Sequence, residues 1–288
     1  MKTEEKQGTI NIRGVDHYYE WICQGNSSKP VLVFIHGWGG SGRYWKTTAT
    51  ALSPYFNCLL YDIRGFGRSP LPAEHSISFD MEEYAEDLAL LLEGLNLDQV
   101  YLNAHSMGAS FATLFLNRYP EKVKQAILTC SGIFNYNPVT FNLFHFAGNY
   151  VVKLRFNWLL NIPAMDRLFM ARFLYQSIPE AERKAFLEDY LLADEVAAKG
   201  TIDTAVSKHA ATVMPEAFAK VSVPTLLIAG EKDIIIPTKL AKKAASLNSE
   251  YIEYFELPKT GHFPMLEDAP RYLKKVSEFL QLVPSEKQ

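Results

Sequence analysis

No apolar run in the sequence approaches the roughly 18–20 residues that a membrane-spanning helix needs. Long blocks of like charge are also missing. The net charge of −3 over 288 residues gives no field for nucleic acid, so no nucleic-acid partner is expected. Cysteine is scarce. Cys23, Cys58 and Cys130 are odd in number, lie in apolar runs and show no metal-ligand spacing. Buried thiols in a reducing compartment are expected from them, rather than a disulfide framework. The opening MKTEEKQGTI is polar and lacks the apolar core of a secretion signal. These absences together lead to the expectation of a cytoplasmic protein. Internal repeats and low-complexity linkers are absent as well.

What is present is a large apolar fraction, 48%, enough to bury the core of one big domain or of a domain with an insertion. HYYEWICQG, PVLVFIHG, FNCLLYD, QVYLNAHS and QAILTCSG read as strands. RYWKTTATAL, FDMEEYAEDLALLLEGL and FATLFLNRY lie between them and read as helices. In the second of these, Met81, Tyr84, Leu88, Leu91, Leu92 and Leu95 recur at helical spacing, with Asp80 placed to cap the start. The alternation stops at about Ile133. It resumes after Pro215 with VPTLLIAGEKD, TKLAKKAASL, YIEYFELP and RYLKKVSEFLQLV. Strand and helix in alternation, with strands apolar on both faces, imply a mostly parallel sheet covered by helices on each side.

The stretch VYLNAHSMGASFATLF places Ser106 between a strand and a helix. A tight corner there strains the backbone and brings neighbouring segments close, so small residues are needed two positions to either side, here Ala104 and Gly108. The pattern is Gly-x-Ser-x-Gly with Ala in the first place. A serine hydroxyl is a poor nucleophile at neutral pH and needs a base, which in turn needs an orienting acid. The sequence offers both at strand ends: Asp233 in LLIAGEKDIIIP and His262 in LPKTGHFPMLEDAP. Their chain order, Ser, Asp, His, is the one this corner requires. The segment after the strand that follows the serine helix, CSGIFNYN, carries no acid, which favours Asp233, with Glu231 as second choice. Backbone N–H groups must hold the developing oxyanion. Met107, next to the nucleophile, and Trp38, in the glycine-rich HGWGGSGRYW, are nominated. That loop lacks the Lys-Ser/Thr ending of a phosphate-binding loop. His36 is expected to brace it, and His105 to point away from the pocket.

HGWGG (36–40), YDIRGFGRS (61–69), AHSMGAS (104–110), GEKDIIIP (230–237) and TGHFPMLEDAP (260–270) together resemble the alpha/beta-hydrolase superfamily. The resemblance implies an α/β fold: an eight-stranded, mostly parallel sheet flanked by helices, with a helical cap inserted after the sixth strand. It divides the chain into a core, 1–132 and 216–288, and a cap, 133–215. It also implies that Asp62 and Arg64 brace loops. Epoxide hydrolases and haloalkane dehalogenases of this superfamily carry Asp at the corner where this chain has Ser106.

Substrate class is read from the cap. Phe134, Phe141, Phe144, Phe146, Phe156, Trp158, Phe169 and Phe173 crowd its first half, with Lys153, Arg155, Arg167 and Arg172 against one acid, Asp166. Most of these aromatics are expected to pack the cap onto the core. Some line the pocket, with Phe134, Phe144 and His145 nominated, which favours an apolar substrate part. A third use is peripheral membrane contact through a cationic, aromatic surface. The expectation is a serine hydrolase cleaving a small-molecule carboxylic ester with an apolar acyl or alcohol part, needing no metal or organic cofactor. Two alternatives stand beside it: hydrolysis of a carbon–carbon bond in a vinylogous diketone, and a small-molecule receptor that keeps the triad. Arg155 or Arg172 binding a substrate carboxylate would mark the former.

Overall fold

A computed structural model describes residues 3–24 and 28–282, with the side chains of Thr3, Glu4, Thr140 and Phe144 not described. Eight strands form one sheet: β1 Thr3–Ile12, β2 Val15–Gln24, β3 Val31–Ile35, β4 Asn57–Tyr61, β5 Val100–His105, β6 Val123–Thr129, β7 Thr225–Gly230 and β8 Ile252–Leu257. Their spatial order is β1-β2-β4-β3-β5-β6-β7-β8. β2 runs antiparallel to both its neighbours, and every other adjacent pair is parallel.

β1 is the strand that the hydrophobic pattern does not announce. It begins TEEKQGT, polar as suits an edge strand open to water on one side. The turn into β2 is Arg13–Gly14, at φ 55° and 85°. Two-residue turns between right-twisted strands need such positive values. With Arg in place of the usual Asn or Asp, the turn carries no strong hairpin signature.

The helices are α1 Lys46–Leu52, α2 Met81–Gly94 and α3 Met107–Arg118, then α4 Pro138–Lys153, α5 Met165–Met170, α6 Glu180–Leu192, α7 Glu195–Ala205 and α8 Lys208–Ala219, and finally α9 Thr238–Ser246, α10 Pro264–Glu267 and α11 Ala269–Phe279. Alternation of side chains along each strand splits the core into two layers. Val33, Ile35 and Leu59 pack with Tyr84, Leu88 and Phe115 on one side. Leu32, Phe34 and Leu60 pack with Trp45, Tyr272 and Val276 on the other. α2 buries Met81, Tyr84, Leu88, Leu91 and Leu92, as its spacing predicts. Asp80 stands at the N-cap, but its carboxylate accepts from Ser78 Oγ at 2.7 Å and makes no capping bond to the backbone.

Between β6 and β7 the described chain forms helices and loops and no strand. The last of these helices, α8, continues through Pro215 to Ala219 and is tied to α3 by Asn117 Nδ2 donating to the Ala217 carbonyl at 2.8 Å. Two polar latches fasten the insertion to the loop after β3. Ser41 Oγ donates to Asp189 of α6 at 2.6 Å, and Trp38 Nε1 donates to the Ala198 carbonyl of α7 at 2.9 Å. Of the aromatics expected to pack the insertion down, Phe141 is buried and Phe169 and Phe173 cluster around Phe186. Phe146, Phe156 and Trp158 face outward instead. Among the described residues, no helix is long and apolar enough to cross a membrane.

Candidate active site

β5 ends at His105 and α3 begins at Met107, so Ser106 is the whole corner. Its backbone sits at φ 53°, ψ −121°, a strained conformation for a residue with a side chain. The Ser106 N–H is held by the Thr129 carbonyl of β6 at 2.8 Å. The small neighbours have a measurable reason. A Cβ on Gly108 would lie 2.3 Å from the His36 carbonyl oxygen, and one on Gly37 would lie 3.0 Å from Ser106 Cβ. The serine corner and the glycine-rich loop after β3 are therefore in near contact, as adjacent ends of β5 and β3 dictate.

Asp233 follows β7 and His262 follows β8, and the sheet order carries both to the same edge as Ser106. His262 Nδ1 lies 2.7 Å from Asp233 Oδ2, and His262 Nε2 lies 2.9 Å from Ser106 Oγ. With Nδ1–H donating to the carboxylate, the Nε2 lone pair faces the serine hydroxyl. The other Asp233 oxygen accepts from the N–H groups of Ile235 and Ile236, at 2.8 and 3.0 Å, which fixes the carboxylate plane. Asp233 and His262 are buried, while Ser106 is half-buried and reachable. Glu231 points elsewhere. It pairs with Lys232 and accepts from the Lys259 N–H at 2.8 Å.

Three of the buried groups beside this trio are kept neutral. Burial, with His262 alongside, holds the His105 imidazole well below its usual pKa, and burial pushes the Tyr44 phenol and the Cys130 thiol well up. His36 accepts from the Ile63 N–H at 2.9 Å through Nε2, and its Nδ1–H donates to the Gly37 carbonyl at 2.8 Å, bracing the loop. Asp62 accepts from Gly42 N–H and from Arg68, and Arg64 is bound to Asp87 at 2.8 Å and lies 4.4 Å from the Tyr84 ring centre. Both brace loops.

Three contributors carry no sequence signal of their own. Tyr44 accepts the Gly37 N–H at 2.6 Å and lies 2.9 Å from His105 Nδ1, and His105 Nε2 lies 2.7 Å from the His262 carbonyl. Glu267 is a buried carboxylate that accepts from the N–H groups of Gly261 (2.9 Å), Tyr175 (2.7 Å) and Gln176 (2.8 Å). Phe173 accepts the His262 N–H through its carbonyl at 2.7 Å. The histidine loop is thus held from both core and insertion. Glu267 could have been noticed only as the lone acid in the apolar run FPMLE.

Met107 follows Ser106 at the first position of α3, and Trp38 follows Gly37, the loop residue whose added Cβ would lie 3.0 Å from Ser106 Cβ. Among the described residues neither main-chain N–H is taken up by a carbonyl. The Trp38 ring packs against Tyr190 of α6. Phe134 lines a small cavity with Met81, Ser110, Phe141 and Met214, one helical turn beyond the serine. His145 instead ties α4 to the end of α7, with Nε2 2.6 Å from the Val206 carbonyl. Phe144 lies in α4, and its side chain falls outside the description. His105, Cys130 and His262 present donor atoms within 4.8 Å of one another. Every imidazole nitrogen among them is already hydrogen-bonded, so the trio has no spare imidazole lone pair for a metal ion.

This geometry has counterparts. A family model described as alpha/beta hydrolase fold matches residues 30–269. RutD of Pantoea ananatis, provisionally named a carbamate hydrolase, is 27% identical over 271 residues, covering 92% of this chain and 93% of that one. An enol-lactonase from Burkholderia xenovorans superposes with a TM-score of 0.76 at 17% identity, covering 95% of this chain and all of the other. A thermophilic esterase from Thermogutta terrifontis gives 0.72 at 22% identity, with 98% of each chain covered. At those identities the two structures show the fold.

Proposed function

Because the chain belongs to the alpha/beta hydrolase fold family, we propose that it is a serine hydrolase acting on a carboxylic ester with an apolar acyl or alcohol part. The observation that carries this is the pair of short contacts at His262, 2.9 Å to Ser106 Oγ and 2.7 Å to Asp233.

Ser106 Oγ attacks the ester carbonyl carbon while its proton passes to His262 Nε2. Asp233 holds the imidazole tautomer and stabilises its cationic form. The carbonyl oxygen becomes an oxyanion held by the Met107 and Trp38 N–H groups, which are in place before the charge develops. The intermediate collapses, the C–O bond to the alcohol breaks, and His262 gives its proton to the leaving oxygen. Water then attacks the acyl-enzyme, its proton taken by His262. The second tetrahedral intermediate collapses with breakage of its bond to Ser106 Oγ, His262 returns the proton to that oxygen, and the acid is released. In this reading residues 133–215 cap the site. An apolar substrate part rests among Phe134 and the aromatic side chains near Phe173.

Of the two arginines that the carbon–carbon bond alternative would use, one is otherwise engaged. Arg155 donates to the carbonyls of Val152, Tyr190 and Ala193. Arg155 so occupied has few donors left for a substrate carboxylate, whereas Arg172 is exposed, its guanidinium 5.4 Å from the Phe173 ring centre. The test is a series of p-nitrophenyl esters of graded acyl length, with released acid and multiple turnover both measured. Steady turnover with a preference for longer acyl chains is expected. A single slow turnover would favour the receptor.

A further inference from the structure

Among the described residues, nothing packs on the outward side of α4, which is an apolar stripe. Val139, Leu143, Phe146, Tyr150 and Leu154 recur every three or four residues and are 78%, 66%, 61%, 55% and 56% exposed. The opposite side of the same helix is already used. Phe141 and Val152 are buried there, and His145 and Gly148 meet α7. A helix apolar all round is ordinarily buried on every side or placed in lipid. Past the helix end the chain exposes further apolar side chains, Phe156 stacked on Trp158 and, on α5, Leu168, 70% exposed.

Charge says what covers it. The exposed ionic side chains between 134 and 176 are Lys153, Arg167 and Arg172, while the lone acid, Asp166, is buried against Arg183 at 2.7 Å. The chain as a whole is net negative, so this surface is locally cationic on an acidic protein. Tyr and Trp with basic side chains around an apolar stripe fit the boundary between headgroups and acyl chains. A second copy fits less well, because a two-fold interface would set the same cations against one another. We propose that α4 and the segment through Leu168 dock on an anionic lipid surface, lying in its plane. This goes beyond the hydrolase reading and does not depend on it.

The test uses the full chain carrying Ser106→Ala, so that turnover plays no part. It is sedimented with vesicles of phosphatidylcholine alone, and with vesicles in which roughly a quarter of the lipid is phosphatidylglycerol. Binding is expected on the anionic vesicles, weaker on the neutral ones, and reduced by salt as surface electrostatics are screened. Leu143→Glu with Phe146→Glu alters only exposed side chains and should weaken binding about tenfold or more. Leu247→Glu, on an exposed apolar residue elsewhere, should leave it unchanged. Failure to sediment with anionic vesicles, equal binding to both vesicle types, or equal loss in the Leu247 variant would overturn the proposal. So would a solution dimer that the Leu143/Phe146 pair dissolves.

Discussion

The ring nitrogen Nε2 of His105 lies 2.7 Å from the main-chain oxygen of His262, across 157 residues of sequence. The same ring receives Tyr44 at Nδ1, and Tyr44 receives the Gly37 N–H. One chain of hydrogen bonds therefore joins the loop that carries Trp38 to the loop that carries His262. His105 was expected to point away from the pocket. It is buried, with both ring nitrogens bonded to buried partners and its ring centre 4.8 Å from that of His262.

Tyr44→Phe breaks that chain at its middle. It leaves His105 Nδ1 and the Gly37 N–H buried without this partner, at a cost of about 1–3 kcal/mol in stability. With this variant kcat should fall roughly tenfold with KM little changed, because the loops lose register while the substrate surface stays. Denaturant unfolding and steady-state kinetics on one short ester check both halves. A loss confined to KM would count against the positioning role.

Asp189 gives a pH dependence of definite sign. Its carboxyl is pushed up to about 6 from 3.8 by burial, against the pull of Ser41 and Arg43. Between those values the folded chain holds a proton that the unfolded chain has released. Stability contributed by this group is therefore fully present below about pH 4 and is lost as pH rises to about 6, by about 2–3 kcal/mol. Asp189→Asn does not titrate there. Wild-type stability minus that of the variant should fall as pH rises across this window, as read by thermal unfolding. A flat difference would contradict the assignment.

Glu267→Gln keeps the shape of the side chain but replaces one acceptor oxygen by a donor. The N–H groups of Gly261, Tyr175 and Gln176 converge on this carboxylate. The expected loss is about 2–3 kcal/mol of stability, since hydrogen bonds to a charged group are involved. Raised hydrogen exchange should be confined to residues 173–176 and 260–263. Exchange rising evenly over the whole chain would mean that the carboxylate does not specifically hold the histidine loop.

Ser106→Ala and His262→Ala should each lower kcat on the order of 10⁴-fold or more, and the double variant should lose little beyond either. Additive losses would mean that the two side chains do not act as a unit.

Ser106, Asp233 and His262 were legible because each stands at, or within a few residues of, the end of a strand that the sequence pattern announces. The sheet brings three such ends to one edge. Seven of the strands, and α1, α2, α3, α9 and α11 among the helices, were legible because their apolar patterns are strong. β1 was not, because an edge strand may be polar and its Arg13–Gly14 turn has no common signature. Tyr44, His105 and Glu267 were opaque as a network, since their bonds span 61, 157 and 92 residues and leave no local pattern. α4 lies in the segment that was legible only as the place where the strand–helix alternation stops, and its outward face was not legible at all. With apolar residues on every side, its period does not say which face looks inward.

The most direct measurement is labelling of the folded protein with a fluorophosphonate, followed by mass spectrometry of its peptides. The account predicts one adduct, on Ser106, and little labelling once His262 is changed to Ala. Labelling at another residue, or labelling of Ser106 that is indifferent to His262, would contradict it.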